Sequence, residues 1–384
     1  MRARGFTLIE LLVAMGVAVM LSLFIFTSYS ALTVGGLRGS DEAKMHTGSR
    51  IALTLLSDDI KRAGFMMYGP SGQNRCARLL TYNRQMNASQ MINQWPVSSV
   101  VQTTSGTVPG TTTIQFGYAN PGGAATDAIT VAYSAGFGMG VSGMPGAVRV
   151  VKSNNGTLEN ASLFVADSSS FHVGDVDIVV LPSRSICIRM QITNLDGNGN
   201  IVHNSGGSDL NPPDGFNGVA SYANPPLSPP IGTTDLHQAY VQNFGQINGA
   251  TGPLLVTYSI RPDPIHPATP NLWRTVTNAL GTVVSDNPIV QNVVLMHALY
   301  APLQSDGTLG NFVPWSTIES NNQQGIVGAV KVALLVQKPN TGNRTNNPTT
   351  IQVLDETFTP PDQAHQYAVY TQTVYLRNVA WNVR

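Results

Sequence analysis

The longest apolar run of the chain lies within its first thirty residues. From Leu11 to Phe26 every residue is apolar or glycine except Ser22, and the 21 residues that begin at Phe6 contain few polar ones. A helix of this length is about 30 Å long, which matches the hydrocarbon core of a bilayer. The run therefore predicts a membrane-spanning helix, and the preceding Arg2 and Arg4 predict a cytoplasmic amino end with the rest of the chain exported.

A second helical pattern follows and ends before Gly64, a typical residue just past a helix. Between the two patterns, three glycines predict a bend or fray, because each glycine weakens a helix by about 1 kcal/mol relative to alanine. Ser40 is then the expected N-cap of the resumed helix. The glycines are Gly35, Gly36 and Gly39. The broad apolar arc of the second pattern contains Ile51, Ala52, Leu53, Leu55, Leu56, Ile60 and Ala63.

One carboxylate, that of Asp59, falls inside this apolar arc. We expect it to be a rim residue that bonds to a nearby backbone group or to Arg62. Joined end to end, the span (residues 6–30) and the amphipathic half (residues 31–64) predict a spike. One part of the spike would lie in a membrane, and the other would pack on a head.

For residues 65–384 the sequence predicts a β-rich head with two sub-lobes, which divide near 211–250. Proline-rich stretches at Asn211–Pro230 and Arg261–Pro270 predict loops. Runs rich in Val, Ile, Thr and Tyr predict strands. These runs are Thr111–Tyr118, Asp127–Ser134, Ala147–Val151, Phe171–Leu181, Ile186–Thr193, Leu254–Ile260, Val293–Tyr300, Val327–Gln337 and Tyr367–Trp381. The fold class is therefore α+β, with a long amino-terminal helix packed on a large carboxy-terminal head of antiparallel strands.

The composition excludes several classes of protein. The chain has 21 basic and 21 acidic residues, and charged residues make up only 11% of it. No basic excess exists to neutralise phosphates, which argues against a nucleic-acid partner. The seven histidines show no metal-ligand spacing, and neither a His-Glu-x-x-His nor a Gly-x-Ser-x-Gly motif occurs. We therefore predict no enzyme activity and no cofactor.

A single carboxylate, that of Glu10, stands at the head of the apolar run. A charge in a membrane-spanning helix costs about 2.5–3.5 kcal/mol on insertion scales, and less near the interface. A buried carboxylate needs a cation, and because the span contains none, the partner must come from outside it. A secretory signal cleaved before Ala31 and a plain signal anchor are the alternatives to a span with such a partner.

The residues around Glu10 read Gly5-Phe6-Thr7-Leu8-Ile9-Glu10-Leu11-Leu12-Val13-Ala14-Met15 and follow a short basic leader. This motif resembles the class III signal of type IV pilins and type II secretion pseudopilins. The resemblance implies that a prepilin peptidase removes residues 1–5 by cutting between Gly5 and Phe6, and then N-methylates the Phe6 amine. It also implies that Glu10 pairs with this amine, commonly that of a neighbouring subunit, as subunits stack.

A second resemblance rests on the segments Arg50–Phe65, Asp127–Val131, Phe171–Asp175, Val327–Val336 and Leu376–Asn378. They resemble the PilW family of minor pilins and occur in that family's order. The resemblance implies a subunit that inserts in the bacterial inner membrane with a periplasmic head, and then enters the extracellular pilus. There it would prime assembly with other minor pilins and the major pilin, on an inner-membrane assembly platform, at or near the tip and beside any tip adhesin.

Two other functions stay open. A type II secretion pseudopilin of the J type has a head that resembles that of PilW. A tip-located adhesive module, with Gly- and Pro-rich loops that contact a surface, belongs to a different class. The head, residues 65–384, would make such contacts.

Cys76 and Cys187 are the only cysteines, and both are predicted to lie outside the cytoplasm. A pair in that compartment most simply forms a disulfide. The closed loop of about 112 residues would contribute about 4.7 kcal/mol in the chain-entropy model. Two separate buried thiols are the alternative.

The segment Asp196-Gly197-Asn198-Gly199-Asn200 is similar to a calcium-binding loop. An EF-hand loop would continue with Gly at position six and Glu at position twelve, but this chain has Ile201 and Gly207 there. A hairpin turn is the favoured interpretation, because Asp-Gly and Asn-Gly pairs favour turns. A different calcium site, made by Asp196, Asn198 and Asn200 with Asp209, stays open.

Overall fold

A computed structural model gives the fold. It describes residues 8–64, 78–134, 147–153, 162–196, 199–247, 253–267, 269–338, 348–361 and 365–380. The helices are α1 (Leu8–Arg62), α2 (Gly215–Tyr222), α3 (Thr233–His237), α4 (Trp315–Ser320) and α5 (Arg377–Ala380). The strands are β1 (Arg78–Asn83), β2 (Asn87–Gln94), β3 (Val97–Val101), β4 (Asp127–Ser134), β5 (Ala147–Ser153), β6 (Ser162–Val165), β7 (Asp175–Leu181), β8 (Ile186–Gln191), β9 (Asn194–Leu195), β10 (Asn200–Val202), β11 (Tyr240–Gln246), β12 (Pro253–Pro262), β13 (Pro270–Asn278), β14 (Val283–Gln291), β15 (Val293–Pro302), β16 (Val327–Gln337), β17 (Ile351–Val353), β18 (Glu356–Phe358) and β19 (Tyr367–Tyr375).

The long helix α1 is continuous over 55 residues, which corresponds to roughly 80 Å at 1.5 Å per residue. It passes through Gly35, Gly36 and Gly39 without interruption, so the predicted fray and the predicted N-cap at Ser40 are wrong. Extending an existing helix through weak residues costs less than ending it and nucleating another.

The end of α1 confirms the role predicted for Gly64. This glycine has a left-handed φ of 69°, and its N–H donates to the carbonyl of Ala132 in β4 at 2.9 Å. The side-chain amide of Asn378 in α5 donates to the carbonyl of Ala63 at 3.0 Å and to that of Arg62 at 3.3 Å. The last carbonyls of the helix therefore bond to the carboxy-terminal part of the head.

Four sheets make up the described part of the head. The largest has nine strands in the order β2-β1-β8-β7-β11-β5-β6-β10-β9, and the second has five in the order β14-β13-β12-β4-β3. A three-stranded sheet, β15-β16-β19, and a two-stranded sheet, β17-β18, complete the set. Neighbouring strands run antiparallel except β1 and β8, which are parallel. The predicted α+β class, a long helix with a β-rich head, is confirmed.

Most of the predicted strands coincide with observed ones, and β4 and β16 match the predicted bounds at both ends. Thr111–Tyr118 is wrong, because this segment folds back in a loop. Within that loop the N–H of Val108 donates to the carbonyl of Ile114 at 2.8 Å, and the N–H of Phe116 donates to that of Gly106 at 2.9 Å. Val108 and Phe116 are buried in a small cluster with Ala128 of β4, so the loop packs on the five-stranded sheet without adding a strand to it.

Three other predicted bounds need correction. The last predicted strand ends at Tyr375, and the chain then forms α5, whose Asn378 caps the end of α1. The predicted loop Asn211–Pro230 contains α2, whose Phe216 is buried. In the predicted strand Phe171–Leu181, the first residues form a turn, because Gly174 has a φ of 92°.

Two large cores flank the nine-stranded sheet. Alternate residues of β8 face opposite sides: Cys187 lies in the core shared with α1 and the five- and three-stranded sheets, and Ile188 lies in the core beneath α2. Residues 78–94 and 147–246 build the nine-stranded sheet, and residues 97–134 and 253–291 build the five-stranded one. The chain therefore crosses between the sheets more than once, and a single division near 211–250 does not separate them.

Asp59 fastens α1 to the five-stranded sheet. Its Oδ1 accepts the hydroxyl hydrogen of Tyr133 at 2.9 Å, and its Oδ2 accepts that of Tyr258 at 2.6 Å. Arg274 donates from Nε to Oδ2 at 2.8 Å and from Nη2 to Oδ1 at 3.2 Å. The expectation that Asp59 bonds to a nearby backbone group or to Arg62 is wrong. Its partners come from three different strands of the head, which no local pattern reveals.

The electrostatics of this group, the Asp59 cluster, favour one protonation state. Burial, and then the charge of Asp59, raise the pKa of Tyr133 to about 12 and also raise the pKa of Tyr258. Burial by itself lowers the pKa of Arg274, but the bond and charge of Asp59 outweigh it and raise that pKa. At neutral pH the two tyrosines therefore stay hydrogen-bond donors and the guanidinium stays charged.

We predict that Asp59→Asn lowers the free energy of unfolding by about 3 kcal/mol, because it leaves the charge of Arg274 without its partner at a buried contact. Asp58→Asn is the matched control. The Asp58 carboxylate is exposed and pairs with Lys61 at 3.2 Å, a kind of ion pair that contributes at most about 1 kcal/mol. Denaturant unfolding of the full-length protein in detergent measures both values. Equal stability of the two variants would contradict the role given to Asp59.

Candidate assembly site

The first part of α1 has an apolar surface that the described head does not cover. Residues Leu8–Ser30 are long and apolar enough to cross a membrane, and none of this stretch is buried. The hydroxyl of Ser22 donates to the carbonyl of Ala18 at 2.8 Å, and that of Thr27 donates to the carbonyl of Phe24 at 3.0 Å. Since these hydroxyls are satisfied inside the helix, they add little cost to placing it in an apolar environment.

Glu10 is the only charged residue of this stretch. It lies in the first turn of α1, and its side chain is exposed on the outside of the helix. A group of another subunit can therefore approach it. Gly5 and Phe6, the predicted cleavage and methylation residues, lie outside the described residues, so the cut and the pairing with Glu10 stay predictions.

The second part of α1 divides into a buried and an exposed face. Leu56 and Ile60 are almost fully buried against the head. Ile51 and Leu55 were expected in the same apolar arc, but they are 52% and 41% exposed. These two residues lie one turn apart, and so they extend an apolar surface on the side of α1 that faces away from the head. In the sequence, the spacing of four positions between these two apolar residues already places them on the same face of the helix.

The predicted disulfide falls partly outside the described residues, because Cys76 lies there. Cys187 is fully buried in β8, on the face of the sheet that points towards α1. The described part of the chain contains no free cysteine. The pairing of Cys76 with Cys187 stays a prediction.

The candidate calcium residues have separate sets of contacts. Asp196 closes the turn between β9 and β10, where its Oδ1 accepts the N–H of Asn200 at 3.1 Å, so the predicted hairpin is confirmed. Asp209 accepts a bond from the side-chain amide of Gln85 at 2.7 Å, and it lies 3.7 Å from a guanidinium nitrogen of Arg84. Asn198 lies outside the described residues. Those that are described include no group of three or more His, Cys, Asp or Glu side chains that could hold a metal ion.

Comparisons with known proteins agree with this geometry at both ends of the chain. Residues 1–26 match the family model of the prokaryotic N-terminal methylation motif. Residues 257–378 match that of PilW, type IV pilus-assembly protein W. The second match begins in β12 and ends in α5, and so it covers the three-stranded sheet and leaves the nine-stranded sheet outside.

Comparisons with curated proteins and with solved structures found no match. The two family matches confirm the resemblance drawn from the sequence. PilW is a component of pilus assembly, and the methylation motif is that of prepilins. The chain is therefore similar to PilW over residues 257–378 and to prepilins over residues 1–26, and the two matches support a minor pilin associated with a type IV pilus.

Proposed function

We propose that this minor pilin primes the assembly of a type IV pilus and is located at or near the pilus tip. One observation carries the proposal: a single continuous helix has an exposed apolar half that contains one carboxylate, and its other half is fastened to a large head. Such a subunit inserts its apolar half among the helices of other pilins and adds its head to the end of the bundle.

The chain then divides by role. Residues 1–5 are the leader, residues 6–30 form the membrane and fibre-core segment, residues 31–64 join it to the head, and residues 65–384 form the head. Before assembly, Arg2 and Arg4 hold the amino end at the cytoplasmic side of the inner membrane, and the head lies in the periplasm. Cleavage between Gly5 and Phe6 then creates a new amine.

Glu10 gives the packing its register in this proposal. Apolar helices slide past one another at little cost, because lipid and neighbouring helices are equally apolar. A carboxylate in that environment is stable only beside a cation, and the Phe6 amine of a neighbouring subunit supplies one. The pair therefore selects one axial position of the helix among those that apolar packing allows.

The size of the head supports a terminal position. The five- and three-stranded sheets pack directly on α1, and the nine-stranded sheet lies beyond them with a second core of its own. At the end of a fibre a subunit has neighbours on one side only. Extra bulk is accommodated there without interrupting the packing of other heads.

Deletion of the gene tests the priming role. We predict that the deletion strain has few or no surface pili and loses twitching motility, while the secretion of exported enzymes continues. Electron microscopy and a sheared-pilin immunoblot measure the pili, and complementation in trans is the control. Normal piliation would contradict the proposal, and lost secretion with intact pili would favour a pseudopilin of the J type instead.

Glu10→Ala tests the register. We predict that the variant is still cleaved between Gly5 and Phe6 but enters pili at least about tenfold less, because one charge pair in an apolar medium is lost. Ser22→Ala is the matched control, since its hydroxyl bonds inside its own helix. Quantitative mass spectrometry of sheared pili gives the amount, and the amino-terminal peptide gives the cut. A processed variant that enters pili as well as the Ser22→Ala protein does would overturn the assembly role of Glu10.

We also propose that Cys76 and Cys187 form a disulfide. The full burial of Cys187 and the lack of a free cysteine among the described residues support it. We predict that the non-reduced, denatured protein takes up no alkylating agent, and that Cys76→Ala lowers the free energy of unfolding by up to about 4.7 kcal/mol. Intact mass before and after reduction measures the first quantity. Two alkyl groups on the non-reduced protein would show separate thiols.

A further inference from the structure

A cavity of about 280 Å³ lies in the head where the nine-stranded sheet meets the five-stranded sheet. Strands β1, β2 and β8 form one part of its wall, and β3, β4 and β12 form another. Arg189 of β8 lies in this wall and is only 5% exposed. The cavity therefore contains a cation that is almost completely buried.

The guanidinium of Arg189 is only partly satisfied. Its Nη1 donates to Oε1 of Gln94 at 3.1 Å, and its Nη2 donates to the carbonyl of Ala279 at 3.3 Å, the upper end of hydrogen-bond length. Its Nε is buried without a hydrogen-bond partner. Both acceptors are neutral, so neither compensates the charge.

Other arginines near the cores face carboxylates. Arg261 pairs with Asp286, and Arg274 pairs with Asp59. Among the residues that the structure describes, no carboxylate forms an ion pair with Arg189. Burial lowers the pKa of Arg189 to about 10, which still leaves it protonated at neutral pH. A buried cation without a counterion costs several kcal/mol, and an anion that enters the cavity would offset that cost.

The rest of the lining indicates the kind of anion. It combines two indole rings with neutral amides and hydroxyls, which both donate and accept hydrogen bonds. The lining carboxylate, that of Glu319, is exposed on α4, and so a ligand must carry its negative charge inward to Arg189. The indoles are those of Trp95 and Trp315, and the neutral polar side chains include Asn83, Asn93, Thr81 and Ser98.

We propose that this cavity binds the carboxylate of a small acidic sugar, with Arg189 as the anion-binding residue. The planar guanidinium matches a carboxylate with two parallel hydrogen bonds. Amides and hydroxyls match the hydroxyl groups of the sugar, and the indoles match its apolar ring face. The cavity volume of about 280 Å³ is enough for one sugar ring. This site lies in the head and does not depend on the priming role.

Calorimetric titration of the full-length protein in detergent tests the proposal. Glucuronic acid and N-acetylneuraminic acid are the probes, and glucose and N-acetylglutamate are the comparison ligands. We predict that an acidic sugar binds and that glucose binds at least about tenfold more weakly, because it lacks the charge-assisted bonds. Arg189→Met should weaken the acidic sugar by about tenfold or more. Arg84→Met is the matched control, because Arg84 pairs with Asp209 and does not line the cavity.

A second variant, at an exposed residue of the cavity wall, tests the site even if replacement of the buried Arg189 impairs folding. Glu319→Gln removes an exposed charge from the cavity wall, and we predict that it tightens the binding of the acidic sugar by about two- to threefold through lost repulsion. No heat with either acidic sugar at millimolar concentration would overturn the proposal. Binding of N-acetylglutamate without the sugars would instead assign the cavity to a peptide carboxylate. Unchanged affinity in a folded Arg189→Met protein would remove Arg189 from the site.

Discussion

The head keeps its place on the helix through one buried charge. Apolar contacts of Leu56 and Ile60 hold α1 against the sheets, but such contacts tolerate small shifts along the helix axis. The contacts of Asp59 do not tolerate such shifts, because its two carboxylate oxygens together accept hydrogen bonds from three side chains of the five-stranded sheet. A one-residue shift of α1 would move this carboxylate away from Arg274 and leave both groups desolvated. The Asp59 cluster therefore fixes the axial position of the whole head relative to the exposed apolar half of the same helix.

This constraint explains how a subunit can transmit a packing register to its head. In the proposed assembly, Glu10 sets where the apolar half lies among neighbouring helices, and the continuity of α1 carries that position along the helix. Asp59 then sets where the head lies on α1, and Asn378 closes the helix end against the carboxy-terminal segment. Loss of either charge would uncouple a different step: without Glu10 the helix loses its register, and without Asp59 the head loses its own.

Periodicity predicted the parts of the fold that depend on local pattern, and it failed where distant residues decide. The apolar span, the stop at Gly64 and the bounds of β4 and β16 follow from composition and spacing alone. The strands β13 and β14 were missed because the pattern of each is interrupted: β13 contains Asn271 and the charged Arg274, and β14 contains Asp286 and Pro288. Asn, Asp and Pro are depleted in strands. Two of these polar residues belong to ion pairs with other elements, Arg274 with Asp59 and Asp286 with Arg261. The same reasoning took Asp59 for a rim residue and did not single out Arg189, since a partner or its lack becomes visible only in three dimensions.

Asp59, Glu10 and Arg189 are three charged side chains for which an ion-pair partner comes from three different places. Asp59 finds its cation inside the fold, and the pair stabilises a contact between two elements. Glu10, on the exposed apolar half of α1, would pair in the proposed assembly with the amine of a neighbouring subunit, so its charge would serve a contact between subunits. Arg189 lies inside the head with neutral acceptors, and its natural complement is an anion small enough to enter the cavity. The cost of each desolvated charge is similar in kind, and the location of the partner decides whether the charge serves folding, assembly or binding.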